Sequence, residues 1–198
     1  RRGKFIDIGC GSGATVAAAS TLGWDAMGLE VDPAAVAIGQ RNGLRIVEGT
    51  YDWLEQHKDA FDCIMCCHVL EHVHEPNILL RNLRSALKAE GVLLLTLPNS
   101  KSVVREKFGA DWRGLEAPRH LAIPSDASLV GLLKDLGFSV HPMADDAIET
   151  GAESFRIQRR DMTLSRQDIR KAKYLKRTLS MPTGHHDLIK LVCRVNSW

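Results

Sequence analysis

Apolar and polar positions along the chain fall into two alternating rhythms. Short apolar runs, the pattern of strands buried on both faces, alternate with longer stretches of helical period. Phe5–Ile8, Asp25–Glu30, Arg45–Val47, Phe61–Cys67, "VLLLTL" (92–97), "FSVHP" (138–142) and "DLIKLVCRV" (187–195) read as strands. Between them, Ala14–Leu22 reads as a helix ended by Gly23. Asp32 caps a second helix, Ala34–Arg41, with Pro33 at its first position. Tyr51–Gln56 reads as a helical turn. A helix opens at Pro76 and carries Leu79, Leu83 and Leu87 at i, i+4 and i+8, with Arg84 and Lys88 near an end set by Gly91. Ser125 caps another, which bears Leu129, Leu132, Leu133 and Leu136 and closes at Gly137.

Strands alternating with helices imply right-handed crossovers and an α/β fold, a mainly parallel sheet with helices on both faces. In such sheets ligands sit beyond the carboxyl ends of the strands. Two stretches break the alternation. Residues 98–124 form a long, lid-like connection that leaves the carboxyl end of the fifth strand. Residues 150–184 read as a basic helical insertion, with nine Lys/Arg against three acids over 151–180. The bland reading of its basic part, 156–177, is a solvated helix face; an anionic substrate, a membrane surface or RNA are the other partners it could meet.

The totals narrow the picture little. A length of 198 residues suits one domain, and 44% hydrophobic with 25% charged residues is globular composition. A net charge of +2 is too near neutral to point to nucleic acid or membrane. No apolar run is long enough for a membrane helix, and no signal peptide opens the chain. The chain enters a core strand almost at once, which leads us to expect a preceding segment. Five cysteines, three of them in "FDCIMCCHV", read as buried structural thiols and imply a reducing, cytoplasmic setting.

Chemistry enters at "KFIDIGCGSGATVAAA". Gly9, Gly11 and Gly13 fall where a strand meets a helix, so the backbone can turn tightly and stay bare for a ligand facing the helix N-terminus. Gly9, Gly11 and Ala14 satisfy the dinucleotide pattern G-x-G-x-x-A, while Asp7 with the three glycines satisfies D-x-G-x-G-x-G. Glu30 serves either reading, because a carboxylate at the end of the second strand can accept both ribose hydroxyls. Asp7 shifts the balance. It suits a ligand with an ammonium group and would repel a pyrophosphate.

"FIDIGCGSG", "GLEVDP", "FDCIMCCHVLEHV" and "GVLLLTLPN", in this order, resemble a class I S-adenosylmethionine-dependent methyltransferase. "DWRGLEAPRHLAIPS" followed by "LLKDLGF" resembles the branch that includes ubiquinone-biosynthesis O-methyltransferases. The resemblance implies a Rossmann-like seven-stranded sheet with an antiparallel last strand, S-adenosylmethionine as cofactor, and methyl transfer to a hydroxyl of a small molecule. It implies that Asp7, Gly9 and Gly11 hold the methionine end, Glu30 the ribose, and that His68 lies near the sulfonium. Relatives often place an acid after the glycine that ends strand three; here Thr50 and Tyr51 follow Gly49, and Asp52 or Tyr51 takes that place. The expected cofactor-binding set is Asp7, Gly9, Cys10, Gly11, Gly13, Glu30, Val31, Asp52 and His68.

Methyl transfer to a hydroxyl needs a positioned nucleophile and a base for its proton. Candidates after strands four and five are His68, Glu71, His72, His74, Trp112, Arg119 and His120. His120 is the expected base, because histidine titrates in the useful range. Trp112, Arg119 and His120 are expected to face the cleft. His68, Glu71 and His72, at i, i+3 and i+4, would join His120 as a divalent-metal set. Some ubiquinone-pathway and small-RNA 2′-O-methyltransferases resemble this set, with a glutamate where this chain has His68, and we expect no metal. The rival readings are a nicotinamide-dependent oxidoreductase and a non-catalytic S-adenosylmethionine-binding module.

Overall fold

The computed structural model describes residues 2–143, 153–154, 156–160, 163–178 and 187–196. The strands are β1 (Lys4–Ile8), β2 (Asp25–Glu30), β3 (Ile46–Glu48), β4 (Phe61–Cys67), β5 (Leu87–Pro98), β6 (Phe138–Pro142) and β7 (Leu188–Val195). They form one sheet in the order β3-β2-β1-β4-β5-β7-β6. Every described pairing is parallel except those of β7, which runs antiparallel to β5 and β6. The helices are α1 (Ala14–Thr21), α2 (Pro33–Arg41), α3 (Pro76–Ala86), α4 (Val103–Phe108), α5 (Asp126–Asp135) and α6 (Arg166–Thr178).

Strand alternation divides the core. Ile6, Ile8, Ile64, Cys66, Leu93 and Leu95 point to the face covered by α3 and α5, where Leu79, Leu80, Leu83, Leu129 and Leu133 meet them. Phe5 and Cys63 point to the other face and pack with Val16 and Ala19 of α1. The strand order reverses direction between β1 and β4, and Asp7 sits near the end of β1, between Gly28 of β2 and Met65 of β4. This reversal opens the crevice in which such sheets place ligands.

The sequence pattern misplaces one boundary. The leucine period runs through Leu87, but α3 stops at Ala86 and Leu87 already belongs to β5, paired with Phe61. The amides of Asp59 and Ala60 take the carbonyls of Ser85 and Ala86 at 2.9 Å, which satisfies the helix end. Lys88 reaches Asp62 at 2.7 Å. Leu87 is fully buried, and a leucine suits a buried helix or a buried strand, so its hydrophobicity could not report the switch.

The long, lid-like connection after β5 closes on itself. The Ser100 amide meets the Pro124 carbonyl at 3.0 Å, so its ends lie together. Val104, Phe108 and Trp112 form its own small core. The Ser102 hydroxyl caps α4 through the Arg105 amide and donates to Asp187 Oδ1 at 2.8 Å. Within the basic insertion, Asp168 is buried near the start of α6 and accepts from Arg159 Nη2 at 2.7 Å and from the Ser165 amide and hydroxyl. The Arg159 guanidinium holds its carboxyl well below the usual carboxylate range.

Candidate active site

The turn after β1 is built from glycine for two separate reasons. Gly9 has φ +70°, and a Cβ there would lie 2.5 Å from Val69 Cγ2, so only glycine lets the turn approach the loop after β4. Gly11 has φ +55° and open space where a Cβ would stand; its amide donates to Glu30 Oε2 at 2.8 Å. Gly13 ends the turn in the left-handed region as the N-cap of α1. Glu30 Oε1 accepts from the amides of Val31 and Asp32 at 2.8 and 3.0 Å. One carboxylate thus gathers the ends of β1 and β2. Asp7 is buried, and its carboxyl is pushed up to about 6, chiefly by burial, with the Glu30 charge adding and the Thr15 hydrogen bond opposing.

An apolar cavity of about 250 Å³ opens against this turn. Gly9, Glu30 and Val31 line one side, Thr50 and Tyr51 another, and Val69, His72 and Val73 a third. Asp52 is not in its wall; its carboxylate accepts from Thr50 Oγ1 at 3.0 Å. Cys10 packs beneath the turn against Gly28. Burial, with the charges of Asp7 and Glu30, pushes its thiol up to about 12. Burial likewise raises Cys63 to about 11 and Cys193 to about 12, so these thiols are packing groups rather than nucleophiles.

A second, more polar cavity of about 460 Å³ lies beyond the ends of β4 and β5, under the lid. His68, His72, Arg113, Glu116, Arg119 and His120 line it. The His120 side chain is only 5% exposed. Its Nδ1 lies 2.7 Å from the Gly114 carbonyl, which assigns that nitrogen as an N–H donor and leaves Nε2 as the nitrogen not used by the backbone. Nε2 stands 3.6 Å from Glu116 Oε2 and 4.0 Å from Glu71 Oε1. Glu116 also receives the guanidiniums of Arg113 and Arg119, and these cations hold its carboxyl low against the opposing effect of burial. His68, at φ +55°, lines this cavity rather than the apolar one and bonds Glu71 Oε1 through Nδ1 at 3.1 Å. His74 is exposed and lines neither.

Arg119 and His120 line the polar cavity and not the apolar one beside the glycine turn, and Trp112 lines neither. It is buried in the lid core with Nε1 on Asp187 Oδ1 at 2.8 Å. A buried indole N–H needs an acceptor, and Asp187, 75 residues away, supplies it. Sequence reasoning missed Glu116. Its position three and four residues from Arg113, Arg119 and His120 was the available signal.

Glu71, His72 and His120 offer ligand atoms all within 4.8 Å of one another. Glu71 is fully buried, and its Oε2 has no hydrogen-bond partner among the described residues. Both histidines place Nδ1 on a backbone carbonyl, His72 on Arg119 at 3.0 Å, which leaves each Nε2 to ligate. The set fits a divalent cation.

A seven-stranded sheet with an antiparallel seventh strand, and an acid-and-glycine turn at its centre, define the architecture of class I S-adenosylmethionine-dependent methyltransferases. Residues 1–142 match the family described as "Methyltransferase domain", and the chain belongs to that family. It is 31% identical over 122 residues to a ubiquinone biosynthesis O-methyltransferase of Glaesserella parasuis, covering 55% of this chain and 52% of that protein. The chain therefore spans about half the length of the curated relative it matches. In fold it is similar to an S-adenosylmethionine-dependent methyltransferase of Archaeoglobus fulgidus, with TM-score 0.67 and 16% identity over 96% of this chain and 85% of that one. It is also similar to the Burkholderia thailandensis 1,6-didemethyltoxoflavin-N1-methyltransferase, solved with bound S-adenosylhomocysteine. There the TM-score is 0.59 and the identity 16%, covering 100% and 72% of the two chains. Among the described residues, no helix is long and apolar enough to cross a membrane.

Proposed function

We propose that this domain transfers the methyl group of S-adenosylmethionine to a hydroxyl of a small molecule held in the polar cavity, with His120 as general base. The observation that carries this reading is the placement of the His120 ring. With Nδ1 donating to the Gly114 carbonyl, Nε2 is the ring nitrogen available to a substrate, in the wall of a cavity that adjoins the apolar one. S-adenosylmethionine supplies an electrophilic methyl carbon on a sulfonium. Asp7 would pair with its ammonium, the Gly9–Gly13 turn would let the backbone approach, Glu30 would accept the ribose hydroxyls, and Val31, Tyr51, Val69 and Val73 would enclose the adenosine. Bound there, S-adenosylmethionine would supply its methyl group to the acceptor oxygen and leave as the thioether. The hydroxyl proton passes to His120 Nε2, and the resulting imidazolium faces the carboxylates of Glu71 and Glu116. The likeness to O-methyltransferases supports the hydroxyl acceptor. The free thiols support a reducing, cytoplasmic setting.

A melt with S-adenosylhomocysteine, S-adenosylmethionine and NAD tests the cofactor; only the first two should raise Tm. His120→Ala should lower turnover about 100-fold or more with cofactor binding kept. Equal loss of binding and turnover would remove His120 as the base, and binding without turnover on any hydroxyl compound would favour a non-catalytic module.

A second reading rests on the buried, unpartnered Glu71 Oε2. A divalent cation on Glu71, His72 and His120 would lower the acceptor hydroxyl's pKa directly, in place of proton removal by His120. Activity lost in chelator and restored by a metal would select this reading.

A further inference from the structure

We infer that His72 is the positioning residue through which an occupied cofactor cavity holds the lid, and with it His120, in place. The inference rests on the cofactor reading above and adds a coupling between the two cavities.

The turn Leu70–His72 has two faces. Val69, His72 and Val73 form one wall of the apolar cavity, and His72 also lines the polar cavity, so its ring is common to both. The same turn carries the lid. The Leu121 amide donates to the Glu71 carbonyl at 2.7 Å, and His72 Nδ1 donates to the Arg119 carbonyl at 3.0 Å. These two anchors fall on the residues immediately before and after His120. The His72 ring stands edge-on to that of His120, with centroids 4.7 Å apart. One short turn therefore fixes the backbone on both sides of the base.

The other side of the turn rests on the glycine loop, because Val69 packs into the space that a Cβ on Gly9 would fill. A ligand in the apolar cavity covers Val69 and Val73, removes their surface from water and limits the turn's excursions. Stiffening the turn stiffens both lid anchors. By linkage, a docked lid must then tighten cofactor binding by the same factor.

The test is amide hydrogen exchange at Leu121 and Ala122, in chelator-treated protein, with and without saturating S-adenosylhomocysteine. In the wild type the ligand should slow exchange at both amides about tenfold. His72→Phe keeps a ring in the shared wall but loses the Nδ1 donor. The ligand-induced slowing should become about fivefold smaller, the worth of one net hydrogen bond. His72→Asn retains a donor near the Nδ1 position and should recover most of the slowing. Ligand that binds while leaving Leu121 unchanged would overturn the coupling and spare the cofactor reading. Equal slowing in wild type and His72→Phe, or no recovery in His72→Asn, would overturn the role of His72. Failure of the wild type to bind the ligand at all would remove the cofactor reading and this inference together.

Discussion

The glycine turn lines the apolar cavity and the lid lines the polar one, and they are held in different ways. In the turn, bonds run between strand ends and near neighbours: Gly11 to Glu30 across 19 residues, Val31 and Asp32 to Glu30 across one and two. The lid is held from far away. Trp112 and Ser102 converge on Asp187, 75 and 85 residues on, and His72 reaches back from Arg119 across 47. A site built from adjacent strand ends comes with the sheet. A site built on a long connection exists only once distant anchors close it, so the two halves should respond differently to substitution.

The largest expected effect is in the turn. Asp7 has a raised carboxyl, about 6 against 3.8, so the folded protein holds a proton that the unfolded chain releases between about pH 4 and 6. That contribution to stability is fully present at low pH and is lost as pH rises through about 6. Asp7→Asn removes the titration, and above pH 6 it should be more stable than the wild type by at most about 3 kcal/mol, with no gain near pH 4. Urea unfolding at pH 4 and pH 8 checks this. A constant difference at both values would place the raised carboxyl elsewhere.

In the proposed site the same carboxyl should link pH to ligand affinity. An ammonium partner requires Asp7 ionised, so S-adenosylhomocysteine affinity should fall about tenfold per pH unit below 6 and level off above it. Calorimetry across pH 5 to 8 reads this directly, and Asp7→Asn should flatten the profile.

Glu30→Ala should weaken S-adenosylhomocysteine binding by about 1.5–3 kcal/mol, the worth of charged hydrogen bonds to two hydroxyls. It should also loosen the turn, since the Gly11 amide loses its acceptor. Unchanged affinity would take Glu30 out of the site.

The smallest effect belongs to the lid. Trp112→Phe keeps an aromatic ring in the lid core but removes the bond to Asp187, and should cost about 1 kcal/mol. Hydrogen exchange should rise across residues 103–122 and stay unchanged across residues 5–13. Uniform destabilisation of both regions would break the contrast drawn here.

What the sequence determined by itself is the half of the molecule with local causes. Alternating apolar runs specify strands because a strand's two faces repeat every second residue. The glycines, Asp7 and Glu30 announce a bare turn flanked by carboxylates, because a left-handed φ and a close approach exclude side chains whatever the rest of the chain does. The antiparallel β7 and the order of the motifs came through family resemblance rather than period. Tertiary structure decided the rest. It ended α3 at Ala86, because Leu87 found a strand partner in Phe61, and a buried leucine by itself does not tell helix from strand. It turned Trp112 inward, because the acceptor for its N–H lies on β7's approach, which no local pattern announces. It set Glu116 beside His120 and gathered His68, His72 and His120 around the polar cavity, with His72 shared by the apolar one. Those outcomes depend on which distant backbone and carboxylate groups meet once the lid folds back over the sheet, and one-dimensional spacing carries no distance across that fold.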